Sequence, residues 1–242
     1  MKYLSFANRI IHSRCIEILM VIIDLSGSMD TDDWKPSRKA GAAEANRALI
    51  RVKAERYPKD QVGIIGFGNQ ARLLHEPVSL AVGEENLYRA LESLPSMGWT
   101  NFKAALQLAE ACLFGNSDYL QHKEESKSFS AILSNLLYGT PVSNSDHMRE
   151  STATPEALRI IMLTDGDYNK GGSPLKVAKR LKDAGVVIDC IGIGGSSEDV
   201  AEDKLKAIAS RNPDGSVRYC FIGDRQDLIR KYESLAHNIR PV

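Results

Sequence analysis

The chain has 242 residues, 43% hydrophobic and 26% charged, the proportions of a soluble globular protein long enough for one large α/β domain or two small ones. Lysine plus arginine and aspartate plus glutamate both number 31, so the overall charge favours neither nucleic acid nor an anionic membrane as a partner. Residues 1–14 lack the unbroken apolar core of a secretory signal, and no later stretch stays apolar for the roughly 18 residues of a membrane span, which gives the expectation of a cytoplasmic protein. The cysteines, Cys15, Cys112, Cys190 and Cys220, are far apart with no CxxC pair and are expected as free, mostly buried thiols.

The first predicted strand, 16–25, is apolar on both faces, the pattern of a parallel sheet covered by helices on each side. It runs into Asp24-Leu25-Ser26-Gly27-Ser28-Met29, and the acidic Asp30, Asp32 and Asp33 that follow suit the positive end of the next helix. That helix, 36–56, carries Ala42, Ala45, Leu49 and Val52 at spacings of three and four. A second strand, 62–67, meets the turn Gly68-Asn69-Gln70, which sends 71–78 back antiparallel beside it. Helices are predicted at 84–94 and 102–113, the latter preceded by Gly98-Trp99-Thr100-Asn101. Strands at 158–163, 186–193 and 219–222 then alternate with helices at 174–184, 201–210 and 226–239.

Residues 115–155 interrupt this rhythm, because a helix normally joins the next strand through a few residues rather than about forty. They read as an insertion whose stretch 129–138, with Ile132, Leu133, Leu136 and Leu137, suits one amphipathic helix. The expected architecture is one α/β domain over 1–242: a doubly wound, mostly parallel sheet with one antiparallel edge strand, helices on both faces and an insert at about 115–155. Such a sheet places its site beyond the carboxyl ends of the strands, where the strand order reverses.

Two carboxylates stand at strand ends there, Asp24 and the Asp165 of Leu163-Thr164-Asp165-Gly166. Ser26 and Ser28, at alternate positions after Asp24, and Thr100 on a separate loop can add hydroxyl oxygens, a donor set suited to a hard divalent cation such as Mg2+. Gly27 lets the first loop turn sharply.

Taken together, Asp24-x-Ser26-x-Ser28, Thr100 before an Ala-Ala-Leu helix, and Thr164-Asp165-Gly166 resemble the metal-ion-dependent adhesion site of von Willebrand factor A domains, with the loops in the family's order. The resemblance covers about 16–239 apart from the insertion, and implies a Rossmann-like fold. It implies that Ser26, Ser28 and Thr100 bind the cation (Mg2+, or Mn2+ or Ca2+) directly, with Asp24 and Asp165 close by and often acting through water. It further implies that a partner protein's Asp or Glu carboxylate completes the shell, and that the last helix shifts on ligation. The expected role is a non-enzymatic intracellular adaptor in a regulatory or stress-response assembly, its partner an AAA-type ATPase, a kinase or a phosphatase.

Asp30, Asp32 and Asp33 also offer an adjacent second cation site, Asp167 is expected near the metal without a ligand role, and Trp99 and Tyr168 are candidates for an aromatic rim. A phosphotransferase using Asp24 is the enzymatic alternative, but such enzymes place an acid–base Asp where Ser26 stands. Nucleotide binding at Gly192-Ile193-Gly194-Gly195 lacks the third glycine of a phosphate loop. His12, His75, His122, His147 and His237 have no metal-ligand spacing. A third possibility keeps the fold as a metal-independent scaffold.

Overall fold

The computed structural model describes residues 16–115 and 156–237. In chain order these form β1 (Ile16–Asp24), α1 (Arg38–Arg56), β2 (Gln61–Phe67), β3 (Ala71–Ser79), α2 (Leu80–Ala90), α3 (Phe102–Phe114), β4 (Glu156–Thr164), α4 (Leu175–Asp183), β5 (Val187–Ile193), α5 (Glu202–Ile208), β6 (Tyr219–Ile222) and α6 (Arg225–His237). The sheet order is β3-β2-β1-β4-β5-β6, with every pair parallel except β2 and β3. This is the expected doubly wound sheet with an antiparallel edge. The candidate helix at 129–138 lies outside the described residues.

The uniformly apolar strands follow from helices on both faces. Ile18, Met20 and Ile22 of β1 pack with Ile160 and Met162 of β4 against Leu106 and Ala109 of α3, Leu181 of α4 and Leu205 of α5. The alternate residues Leu19, Val21 and Ile23, with Ile161 and Leu163, pack against Leu49 of α1, Leu87 of α2 and Leu228 and Tyr232 of α6. Burying such a side chain is worth roughly 1.5–3 kcal/mol, so a register slip in β1 would forfeit contacts on both layers at once.

Two helix starts differ from expectation. α1 begins at Arg38, capped by the Ser37 hydroxyl, which accepts from the Ala40 amide at 3.2 Å, so Asp30, Asp32 and Asp33 do not cap it. α2 begins four residues before the predicted start: the Leu80 and Ala81 amides donate to the carbonyls of Asp60 (2.9 Å) and Pro58 (2.7 Å). Those partners lie in the loop before β2, so a tertiary contact satisfies amides that a sequence pattern leaves open.

β1 and β4 are neighbours, and the chain leaves them toward opposite sides of the sheet, β1 to β2 and β4 to β5. Their carboxyl ends therefore flank the crevice where strand order reverses.

Candidate metal centre

Asp24 closes β1 and is wholly buried. Its Oδ1 accepts the Ser26 amide at 2.8 Å and its Oδ2 accepts the Thr164 hydroxyl at 2.5 Å, linking the ends of β1 and β4. The Ser26 and Ser28 hydroxyls lie 3.1 Å apart, and Ser28 donates to Asp165 Oδ1 at 2.8 Å. Four of the five expected residues thus form one hydrogen-bonded set.

Thr100 joins through its backbone. It is buried, its amide donates to the Asn169 side-chain oxygen at 3.0 Å, and its carbonyl accepts from the amides of Asn169 (3.1 Å) and Lys170 (3.3 Å). The same loop is stitched to the first one: Met97 donates to the Leu25 carbonyl at 2.7 Å, and the Gly98 carbonyl accepts from Gly27 at 3.1 Å. Gly98 does this at φ +75°, a left-handed conformation that costs glycine little. Asn101 then caps α3, accepting from Ala104 at 3.0 Å.

Burial governs the electrostatics. It pushes the Asp24 carboxyl up to about 6, against the downward pull of the Thr164 and Ser26 hydrogen bonds, and the negative Asp165 nearby adds to the rise. Burial raises Asp165 as well, opposed by its bonds to Ser28 and Arg38. In both cases the site holds negative charge less comfortably than water does.

One cation already reaches the centre. Arg38 Nη1 donates to Asp165 Oδ2 at 3.0 Å, while its Nε and Nη2 grip Asp33 at 2.7–3.1 Å. Sequence reasoning missed Arg38. A basic residue at a helix N-terminus opposes the helix dipole, and that local mismatch was the available signal. The other acidic residues of the loop are held by lysines, Asp32 by Lys35 at 2.8 Å and Asp30 by Lys39 at 2.5 Å, so ion pairing occupies the carboxylates considered for a second cation.

The two aromatic candidates separate. Trp99 is 60% exposed beside the centre, whereas Tyr168 packs on Phe102 with ring centroids 5.5 Å apart and lies under the Lys204 ammonium. Asp167 is half-exposed and paired with Lys204. Cys112 and Cys190 are buried free thiols and Cys220 is half-buried.

The donor chemistry fits a hard divalent cation: two carboxylates and three hydroxyl-bearing side chains, all oxygen, gather on mutually bonded loops. A guanidinium standing on Asp165 marks a place where positive charge is favourable. Among the described residues no three His, Cys, Asp or Glu side chains form a metal cluster, so such a site would depend on the hydroxyls.

Comparison with known proteins decides the family. Two family models, both described as von Willebrand factor type A domain, match residues 19–129 and 118–231. The chain belongs to the von Willebrand factor type A family. Within it, the chain is similar to a 26S proteasome non-ATPase regulatory subunit 4 homolog of Arabidopsis thaliana, 27% identical over 83% of this chain and 43% of the relative. It is also similar to a UPF0353 protein of Mycolicibacterium paratuberculosis, 23% identical over 92% of this chain and 61% of the relative. The chain therefore spans less than two thirds of either of these relatives. Among solved structures, a von Willebrand factor type A protein from Catenulispora acidiphila superposes with a TM-score of 0.62 at 17% identity, covering 92% of this chain and 42% of that one. The SpRpn10 VWA domain does so with 0.58 at 21%, covering 89% and 95%. These structural likenesses establish the fold that the family shares.

Proposed function

We propose that this type A domain is a protein-interaction module, without catalytic activity, that holds a divalent cation on Asp24, Ser26, Ser28, Thr100 and Asp165 and so engages a partner's Asp or Glu side chain. The observation that carries the reading is the bonded set Asp24–Ser26–Ser28–Asp165 at the mouth of the strand crevice. Held there, Mg2+, Mn2+ or Ca2+ would supply an electrophilic centre with a position open to a carboxylate. The protein's own residues prepare it. Asp24 fixes the first loop by accepting the Ser26 amide, and Ser28 turns its proton toward Asp165, leaving oxygen lone pairs for a cation. Thr100 brings the third hydroxyl on a loop clamped to both of the others.

Binding is favoured over phosphoryl transfer because Ser26, the residue two after Asp24, cannot serve as a carboxylic acid–base. The proteasomal relative is by its name a regulatory subunit of a large assembly, which supports an adaptor role here. We place this chain in an intracellular regulatory or stress-response assembly, alongside an AAA-type ATPase, a kinase or a phosphatase. Among the described residues no helix is long and apolar enough to cross a membrane.

The test is calorimetric titration of Mg2+ and Mn2+ into metal-stripped protein, with folded Asp24→Ala and Ser28→Ala variants. The expected result is binding by the wild type that both variants lose. Binding that both retain would overturn the site. Partner capture unchanged by chelation would make the domain a metal-independent scaffold.

A further inference from the structure

Asp165 has no free acceptor oxygen facing the centre without a partner: Oδ1 takes the Ser28 hydroxyl and Oδ2 takes Arg38 Nη1. The Asp165 side chain is fully buried and that of Arg38 is 12% exposed, so this ion pair is shielded from water and breaking it without a replacement would leave a buried charge uncompensated. The guanidinium is anchored independently of Asp165. Its Nε lies 3.0 and 3.1 Å from the two Asp33 oxygens and its Nη2 lies 2.7 Å from one of them. Giving up Asp165 would break one contact and leave the fork on Asp33.

We propose that Arg38 is a built-in counter-cation that competes with the divalent ion for Asp165, so that this residue sets how tightly the centre takes metal. The proposal rests on the metal reading above. Without a divalent ion, Arg38 neutralises a buried carboxylate that would otherwise stand unpaired and keeps the loops assembled. A divalent ion held by Asp165 would replace Arg38 Nη1 as its positive partner, while Asp33 would keep the Arg38 side chain in place. The domain therefore tolerates an empty centre at the expense of metal affinity.

The experiment compares wild type, Arg38→Gln and Arg38→Lys by Mn2+ calorimetry and by thermal unfolding with and without Mn2+. Arg38→Gln is expected to bind Mn2+ at least about tenfold more tightly, a change equivalent to about 1.4 kcal/mol. Its metal-free form is expected to melt below wild type, and saturating Mn2+ to raise its midpoint by more than it raises that of wild type. Arg38→Lys keeps the charge but cannot span Asp33 and Asp165 together, and should fall between; it carries the test if Arg38→Gln does not fold without metal. In an Asp165→Asn background, replacing Arg38 should lower the metal-free midpoint by less than it does when Asp165 is present, the remainder being its bonds to Asp33. Equal Mn2+ affinity in wild type and both Arg38 variants would overturn the role of Arg38 and leave the metal site standing. Absence of Mn2+ binding in all three would overturn both.

Discussion

The two ends of the sheet treat buried carboxylates differently. At the amino ends of the strands, Lys53 sits between Asp60 (2.8 Å) and Glu17 (3.3 Å), and Arg159 and Arg218 hold Asp189 at 2.6 and 2.9 Å. At the carboxyl ends, Asp24 has only hydroxyl and amide donors, and Asp165 shares a single guanidinium with Asp33. The first arrangement carries its own cations and ties elements together: Arg159 also donates to the Leu235 carbonyl on α6 at 3.1 Å. The second is short of positive charge. A buried acid matched by a buried base is architecture, whereas a buried acid matched mostly by neutral donors leaves a place for a charge from outside.

Breaking the self-sufficient end should have the largest effect. Lys53→Met would strand Asp60 as a buried charge and push Glu17 further toward its neutral form, and is expected to destabilise the fold by about 3–5 kcal/mol in denaturant unfolding. Unchanged stability would show that water reaches this end.

Glu17 itself gives a pH signature. Burial raises its carboxyl from 4.5 to about 7, with Lys53 and Arg159 pulling the other way, and one of its oxygens has no hydrogen-bond partner among the described residues. The folded state therefore retains a proton that the unfolded chain loses, so this stabilisation is full below pH 4.5 and disappears as pH rises toward about 7. Two to three pKa units correspond to about 3–4 kcal/mol. Glu17→Gln should flatten that part of the stability curve and leave the protein more stable than wild type at pH 8. A curve with the wild-type slope would move the titration elsewhere.

At the cation-deficient end the same reasoning predicts a gain with a loss. Asp24, raised from 3.8 to about 6 chiefly by burial, contributes stability below pH 3.8 that is lost as pH rises through about 6 in metal-free protein. Asp24→Asn should thus stabilise the metal-free domain at pH 7.5 by about 1–3 kcal/mol, while abolishing any rise of the melting midpoint with Mn2+. A variant less stable than wild type would mean that the carboxylate's hydrogen bonds outweigh its burial. The smallest stability effect belongs to Trp99→Ala: with the residue 60% exposed, the unfolding free energy should stay within about 0.5 kcal/mol of wild type. Its effect should appear in partner capture, and an unchanged pull-down would remove Trp99 from the interface.

The contrast between the ends also explains what the sequence disclosed. The candidate site was legible because its residues occur as short local strings at strand ends, Asp24 to Ser28 and Thr164 to Gly166, and the sheet because apolar runs alternate with helical stripes. The supporting charges were not. Arg38 lies 127 positions from Asp165, and Arg159 sits inside an apolar run with its partner Asp189 thirty positions on, so only the folded register brings them together. Tyr168 and Trp99 flank the site equally in sequence, yet the Phe102 ring claims one and leaves the other in solvent. α2 was misplaced because its first amides are satisfied by a distant loop, whereas α3, capped by its own Asn101, was placed to within a residue.

α3 starts beside the candidate centre at Phe102 and ends at Phe114, capped by Gly115, and β4 begins at Glu156 opposite Ile16, the first residue of β1. The two junctions that flank residues 116–155 therefore lie at the far pole of the sheet. Among the described residues, Gly115 is held by its amide on the Ala111 carbonyl at 2.9 Å and β4 by pairing along β1 and β5. Gly115 and Glu156 thus mark a pair of attachment points from which a reporter would read the fold at the pole opposite the crevice.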